Sequence, residues 1–138
     1  MGETSRLTPV IHNITFDCTG DPYDVGLFWS ALLGRPLDDD DKPGDPAALI
    51  HDPDGGPGLL FLRVPEGKSV KNRIHFDLRP RGRTRDEEVE RALGLGARKV
   101  ADHTRPDGTG WVLLADPEGN EFCVERGDAE RAEQDRPE

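Results

Sequence analysis

Within residues 71–78, KNRIHFDL, a histidine and an aspartate stand two apart: His75 and Asp77. In an extended segment, residues i and i+2 project from the same face. An imidazole held beside a carboxylate favours its protonated form and can pass a proton to or from a bound molecule, which is acid–base chemistry. The competing reading is a structural polar pair on a wet or packed face. Glu121 and Cys123, in NEFCVE, share a face in the same way and add a carboxylate and a thiol. Asn13, Thr15 and Asp17 line one side of NITFDC, with Asp17 the counterpart of Asp77. Lys71 and Arg73, just before His75, can either anchor a loop by charge pairing or meet an anionic ligand. Trp111 follows the turn-rich RPDGTG and either floors an aromatic pocket or fills a strand edge. The aspartates of DPDGG (52–56) and DPEG (116–119) are explained by turn chemistry alone.

The elements that must position these groups recur in one order. Residues 10–18 alternate as a strand with Ile14, Phe16 and Cys18 on its apolar face. A helix follows, with Asp21 as N-cap, Pro22 in the first position, Asp24 near the positive end, an apolar stripe of Val25, Phe28, Trp29 and Leu32, and Gly34 as a left-handed stop. A short strand around Leu37 and strands in PAALIHD and GLLFLRVP complete the first half. The second half repeats the order. NRIHFDLRP is a strand with Ile74, Phe76 and Leu78 inward, and residues 84–97 form a helix capped at Thr84 or Asp86. RKVADH, GWVLLA and NEFCVE are the strands that follow. The pattern is β-α-β-β-β, twice, and NITFDC aligns with RIHFDL. Each helix can cover one face of its sheet, so the polar faces holding His75 and Asp77, and Asn13, Thr15 and Asp17, are expected to meet in a cleft. Burying such groups costs several kcal/mol unless they are paired. The expected organisation is one domain over residues 8–127, with module one about 8–66 and module two about 71–127, and a charged, frayed tail over 128–138.

Bulk properties narrow the function. The 138 residues suit one small domain. Twelve prolines and sixteen glycines favour a turn-rich β fold over a helical bundle. A formal net charge of -10 argues against nucleic acid and anionic membranes as partners. There is no eighteen-residue apolar run and no signal-peptide core, so a cytoplasmic location is expected. Cys18 and Cys123, without any CxxC, read as free buried thiols. Phosphate loops, dinucleotide fingerprints, EF-hand spacing and HExxH helices are absent from the sequence.

The pieces NITFDCTGDP, LFWSALLG, LLFLRVPEGKSVKNRIHFDL and LLADPEGNEFCVE, in this order and spacing, resemble the vicinal oxygen chelate superfamily of glyoxalase I, extradiol dioxygenases and bleomycin-resistance proteins. They look closest to the small actinobacterial-type glyoxalase-like domain proteins. The resemblance implies an α+β fold in which two βαβββ modules curve into an incomplete barrel around a small-molecule cleft, in a homodimer. It also implies a divalent metal, Zn, Ni, Mn or Fe, held by His or Gln on the first strand of a module and Glu near the end of the last. Carried over, those positions fall on Asn13, with His12 one step out of phase, and on His75. The remaining pair falls in LLFLRV, which has no carboxylate, and on Cys123, with Glu121 two residues before it. The family set is therefore incomplete. A metal here would use His75 with Glu121 or Cys123, or a slipped His12, and sulfur and imidazole ligands favour Zn over Mg. Two functions stay open, beside a structural or partner-binding role in which the polar inner face serves only dimer or module assembly. One is lyase- or isomerase-type proton transfer with His75 as base or metal ligand, assisted by Asp77 or Glu121. The other is non-catalytic binding of an antibiotic-like small molecule, with Asn13, Thr15, Asp17, Arg73, Trp111 and Cys123 as contacts.

Overall fold

A computed structural model describes residues 7–134. The chain divides into two compact units between Pro65 and Glu66. Both are α+β, and each is built on the expected β-α-β-β-β order.

In the first unit, β1 (Asn13–Cys18) leads into helix α1 (Pro22–Leu33), then β2 (Ala47–Ile50) and β3 (Gly58–Arg63). The sheet order is β1-β3-β2, with β1 and β3 parallel and β2 antiparallel to β3. The fourth strand of the pattern shrinks to one bridge, Leu37 to Ile50. Helix α1 starts and stops as its residues dictate. The Asp21 side chain accepts from the Tyr23 amide, Pro22 needs no amide partner at the first position, and Gly34 takes φ 66 in the left-handed region. Trp29 is 0% exposed, against Phe16 at 5.4 Å and Phe28 at 5.5 Å, and Phe16 also meets Phe61 at 5.2 Å. These rings, with Ile50, Leu59 and Leu32, make a core in which each fully buried side chain stabilises by about 1.5–3 kcal/mol.

In the second unit, β4 (Phe76–Leu78) precedes helix α2 (Arg85–Leu95), β5 (Arg98–Asp102), β6 (Trp111–Ala115) and β7 (Glu121–Glu125). The order is β4-β7-β6-β5, so the last strand lies between the first and the third, parallel to β4 and antiparallel to β6. Thr84 closes a reciprocal capping box with Glu87 at the start of α2. Val112, Leu114, Phe122 and Val124 are buried on one side of the sheet, together with Val89 and Ala92 of α2.

Three expectations need correction. The strand read over residues 72–80 spans only Phe76–Leu78, and Ile74, expected inward, is exposed. Upstream, Asn72 and Glu121 clip together: the Asn72 amide donates to Glu121 Oε1 at 2.7 Å and the Glu121 amide to Asn72 Oδ1 at 3.3 Å. The first strand is likewise shorter than 10–18, since Val10 and Ile11 are exposed ahead of Asn13. The tail does not fray at once either, because Asp128–Gln134 forms helix α3. Glu130 Oε1 accepts from the amides of Gly127 at 2.8 Å and Arg85 at 2.5 Å, and Asp128 pairs with Arg79 at 2.8 Å. The last part of the expected tail, 135–138, lies outside the described residues. No helix among the described residues is long and apolar enough to cross a membrane.

Candidate functional site

The parallel pairing of β4 and β7 sets the site. Asp77 and Cys123 are register partners, and Leu113 faces Cys123 from β6. All three therefore lie on the sheet face opposite Phe76, Phe122 and Leu114. His75, two residues before Asp77, joins that face at the mouth of β4. Its Nδ1 lies 3.3 Å from Asp77 Oδ1 and 3.9 Å from Cys123 Sγ. One donor atom from each of the three side chains falls within 4.8 Å of the other two. The His75 and Asp77 side chains are 38% and 54% exposed, whereas Cys123 is 5% exposed. Burial pushes the Cys123 thiol up to about 11, and the charge of Asp77 and a hydrogen bond with it add to the shift.

A pocket of about 430 Å³ opens over this cluster. Lys71, His75, Asp77, Cys123 and Glu125 give it polar groups, and His103, Trp111 and Leu113 give it an aromatic and apolar wall. The His103 and Trp111 rings meet at 5.2 Å with their planes tilted by 36°, and the Arg105 guanidinium lies 5.7 Å from the Trp111 ring centre. The wall is held by a tight hairpin. The His103 amide donates to Trp111 O at 2.8 Å, and the Thr104 and Thr109 hydroxyls donate to Asp102 and Asp107. Those bonds hold both carboxyls below their ordinary range. Arg85, 8% exposed, donates from Nη1 to the carbonyls of Gly108 and Gly110 and ties the hairpin to the start of α2. Gly110 sits at φ 97, and a Cβ added there would lie 2.1 Å from the His103 carbonyl oxygen, so any side chain would collide.

The structure thus brings together Lys71, His75, Asp77, Cys123 and Trp111 of the residues singled out in the sequence. Glu121 belongs elsewhere. Its carboxylate pairs with Lys68 at 3.7 Å, Lys71 at 4.0 Å and the Asn72 amide, rather than with Arg73 or His75. The reason is the clip with Asn72, which turns the side chain toward residues 68–72. Arg73 is exposed and does not line the pocket. Asn13, Thr15 and Asp17 stand on β1 of the first unit, with Thr15 and Asp17 exposed. His12 is exposed just before β1, and its carbonyl accepts from the Gly58 amide at 3.0 Å. His103 and Glu125 were not singled out from the sequence. Glu125 could have been, as it continues the Glu121, Cys123 alternation; His103 shows only once β5 and β6 pair around RPDGTG.

Asp116 and Asp52 are turn residues, as their motifs suggest. Asp116 Oδ1 accepts from the amides of Glu118 and Asn120, and Asp52 Oδ1 from that of Asp54. Both cysteines are buried thiols outside any disulfide.

A family model described as a glyoxalase-like domain matches residues 13–125. The chain belongs to the glyoxalase-like domain family. With it comes membership of the wider glyoxalase and bleomycin-resistance superfamily, whose two-module α+β architecture the units match. A search of curated proteins gave no match. Among solved structures, this glyoxalase-like chain is similar to a glyoxalase/bleomycin resistance protein/dioxygenase family enzyme from Burkholderia phytofirmans PsJN, at 17% identity and TM-score 0.64, covering 85% of this chain and 98% of that one. It is similar to hypothetical protein SA1046 from S. aureus at 15% identity and TM-score 0.65, covering 90% and 98%. It is also similar to the fosfomycin resistance protein FosX from Listeria monocytogenes, solved with Mn(II) and 1S,2S-dihydroxypropylphosphonic acid, at 16% identity and TM-score 0.63, covering 94% and 98%. At these identities the likeness concerns the fold.

The oxygen-rich metal set that the family resemblance implies does not fit this chain. No residue of β3 is a carboxylate, Cys123 occupies the place where the resemblance implies the last-strand Glu, and Glu121 is committed to the Asn72 clip.

Proposed function

We propose that this glyoxalase-like protein binds a small oxygenated molecule in the pocket over β4, β6 and β7 and moves a proton on it through His75. The observation that supports the reading most is the His75–Asp77 contact at 3.3 Å on the floor of that pocket. With Asp77 accepting from Nδ1–H, the imidazole keeps its Nε2 lone pair for a substrate proton, and the carboxylate stabilises the imidazolium that results. Lys71 supplies a cation for an oxygen that gains negative charge, and Trp111 and His103 supply a flat wall for the ligand's carbon skeleton. Chemistry of this kind is lyase- or isomerase-like. It fits the finer resemblance to the small actinobacterial glyoxalase-like proteins, with a homodimeric, cytoplasmic protein that has no nucleic-acid partner.

The second reading is a non-catalytic binder of antibiotic-like molecules. It is favoured by the aromatic wall combined with the missing family metal set. A thermal-shift screen against oxygenated metabolites and antibiotics, followed by product analysis of every hit, separates the two. We expect a ligand whose turnover falls by about 10²–10⁴-fold in His75→Ala, while binding weakens less. A ligand held equally well by wild type and His75→Ala, with no product from either, assigns the pocket to binding. A ligand that binds unchanged when Trp111 and His75 are both replaced removes the pocket from either role.

A further inference from the structure

We propose that helix α3 is a latch on the pocket. Glu130 fixes the start of α2 through the Arg85 amide, and the Arg85 guanidinium passes that constraint to the hairpin carrying His103 and Trp111. Glu130 and Arg85 are thus positioning residues, and docking of α3 and filling of the pocket favour each other. This rests on the pocket described above, and not on the proton transfer placed in it.

The seven residues of α3 are too few to hold a helix by themselves in water, so the helix exists because it docks. The docking is specific. Glu130 Oε1 accepts from the amides of Gly127 and Arg85, which sets a carboxylate at the positive end of α2. Gly127 lies so close to residues 80–83 that a Cβ added there would fall 2.4 Å from the Arg83 carbonyl oxygen. Two ion pairs on the surface add to the contact. Asp128 meets Arg79 at 2.8 Å, and Arg131 meets Glu125 of the pocket at 4.0 Å. Both are roughly half-exposed, and such pairs contribute little. The Glu130 bonds outweigh them.

Arg85 carries the constraint onward. Its Nη1 donates to the carbonyls of Gly108 at 3.1 Å and Gly110 at 3.2 Å, while its Nε is buried with no hydrogen-bond partner. Losing the two carbonyls would strip a buried cation of its acceptors, which is costly. The hairpin therefore follows the start of α2. It also moves as one piece, because the Arg105 amide donates to Thr109 O and the His103 amide to Trp111 O, each at 2.8 Å. A molecule that holds Trp111 in place should by reciprocity hold α3 down, and removal of α3 should loosen the wall.

The wall can be read without any ligand, so failure here leaves the proton-transfer reading standing, and failure of that reading leaves this one standing. The full chain is labelled with 5-fluorotryptophan and followed by fluorine NMR. Its two tryptophans are separate reporters: Trp29 is buried in the first unit, Trp111 lines the pocket, and Trp111→Phe assigns the lines. We expect Glu130→Ala to shift and broaden the Trp111 line and leave that of Trp29 in place. Hydrogen exchange at the Gly127 and Arg85 amides should quicken by roughly 10- to 100-fold, the worth of bonds to a charged acceptor. Gly127→Ala keeps every polar group but crowds the Arg83 carbonyl, and should move the same line the same way. Thr84→Ala removes the cap of the same helix and leaves the Glu130 bonds intact, so its shift should be the smaller. In an Arg85→Gln background, Glu130→Ala should add no further shift, because the link is already cut. A Trp111 line unmoved by Glu130→Ala while Gly127 exchanges faster overturns the proposal. So does an equal shift from Thr84→Ala, or a Glu130→Ala shift that is the same with and without Arg85.

Discussion

Asp77 acts on two neighbours at once. Its carboxylate lies 3.3 Å from His75 Nδ1, and its charge discourages ionisation of the Cys123 thiol beside it. A thiol moved from an ordinary value near 9 up to about 11 is almost entirely neutral at physiological pH. At pH 8 only about a thousandth of it would be thiolate, so alkylation should be slow, rising about tenfold per pH unit until it levels off near pH 11. Mass-spectrometric mapping of iodoacetamide adducts against pH separates Cys123 from Cys18. Asp77→Asn should speed the Cys123 reaction at every pH below 10, and an unchanged profile would contradict the role given to the carboxylate. The sign for stability follows from the raised value. The folded state holds the thiol proton more tightly than the unfolded chain, so this contribution is complete below about pH 9 and is lost as pH rises through about 11. Between those values the melting temperature should fall more in wild type than in Cys123→Ala.

At the scale of the elements, ends and edges decide most of the behaviour. The Thr84 hydroxyl and the Glu87 carboxylate satisfy each other's backbone amides at the start of α2. Thr84→Ala should cost about 1 kcal/mol, lowering the melting temperature by a few degrees, and Thr84→Ser should recover most of it. The same local chemistry made much of the fold readable in advance. The Asp21, Pro22 and Gly34 signals of α1, the Thr84 cap of α2 and the alternation of NEFCVE all depend on residues within a turn or two of one another. The end of the strand at Phe76 was not readable, because the Asn72–Glu121 clip that ends it joins positions 49 residues apart. For the site, alternation placed His75, Asp77 and Cys123 on one face, but it could not show that Glu121, on the same strand, turns to Lys68 and Lys71. His103 was missed for a related reason: its approach to Trp111 is a product of pairing across a hairpin, and the bulge between Lys99 and Ala101 blurs the alternation of β5.

For the whole molecule, the repeated order of elements was legible where residue-by-residue repetition was faint, because a repeated unit needs the same sequence of caps and pleats, with little need for the same side chains. The formal charge of -10 keeps copies of the chain apart at low ionic strength. The proposed homodimer should therefore tighten as salt rises, and sedimentation equilibrium at low and at physiological salt reads this directly. A single-chain mass at every concentration and salt would remove the dimer. Strand order has its own consequence for how the protein comes into being. In both sheets the strand synthesised last is inserted beside the one synthesised first: β3 next to β1, and β7 between β4 and β6. While the ribosome is still working on residues 79–120, the three-residue β4 has no hydrogen-bonded neighbour, and the nascent sheet has a gap in its middle instead of a missing edge. A message cut short just before codon 121 would thus yield a product with no sheet for His75 and Asp77 to stand on, although both residues had long since been translated.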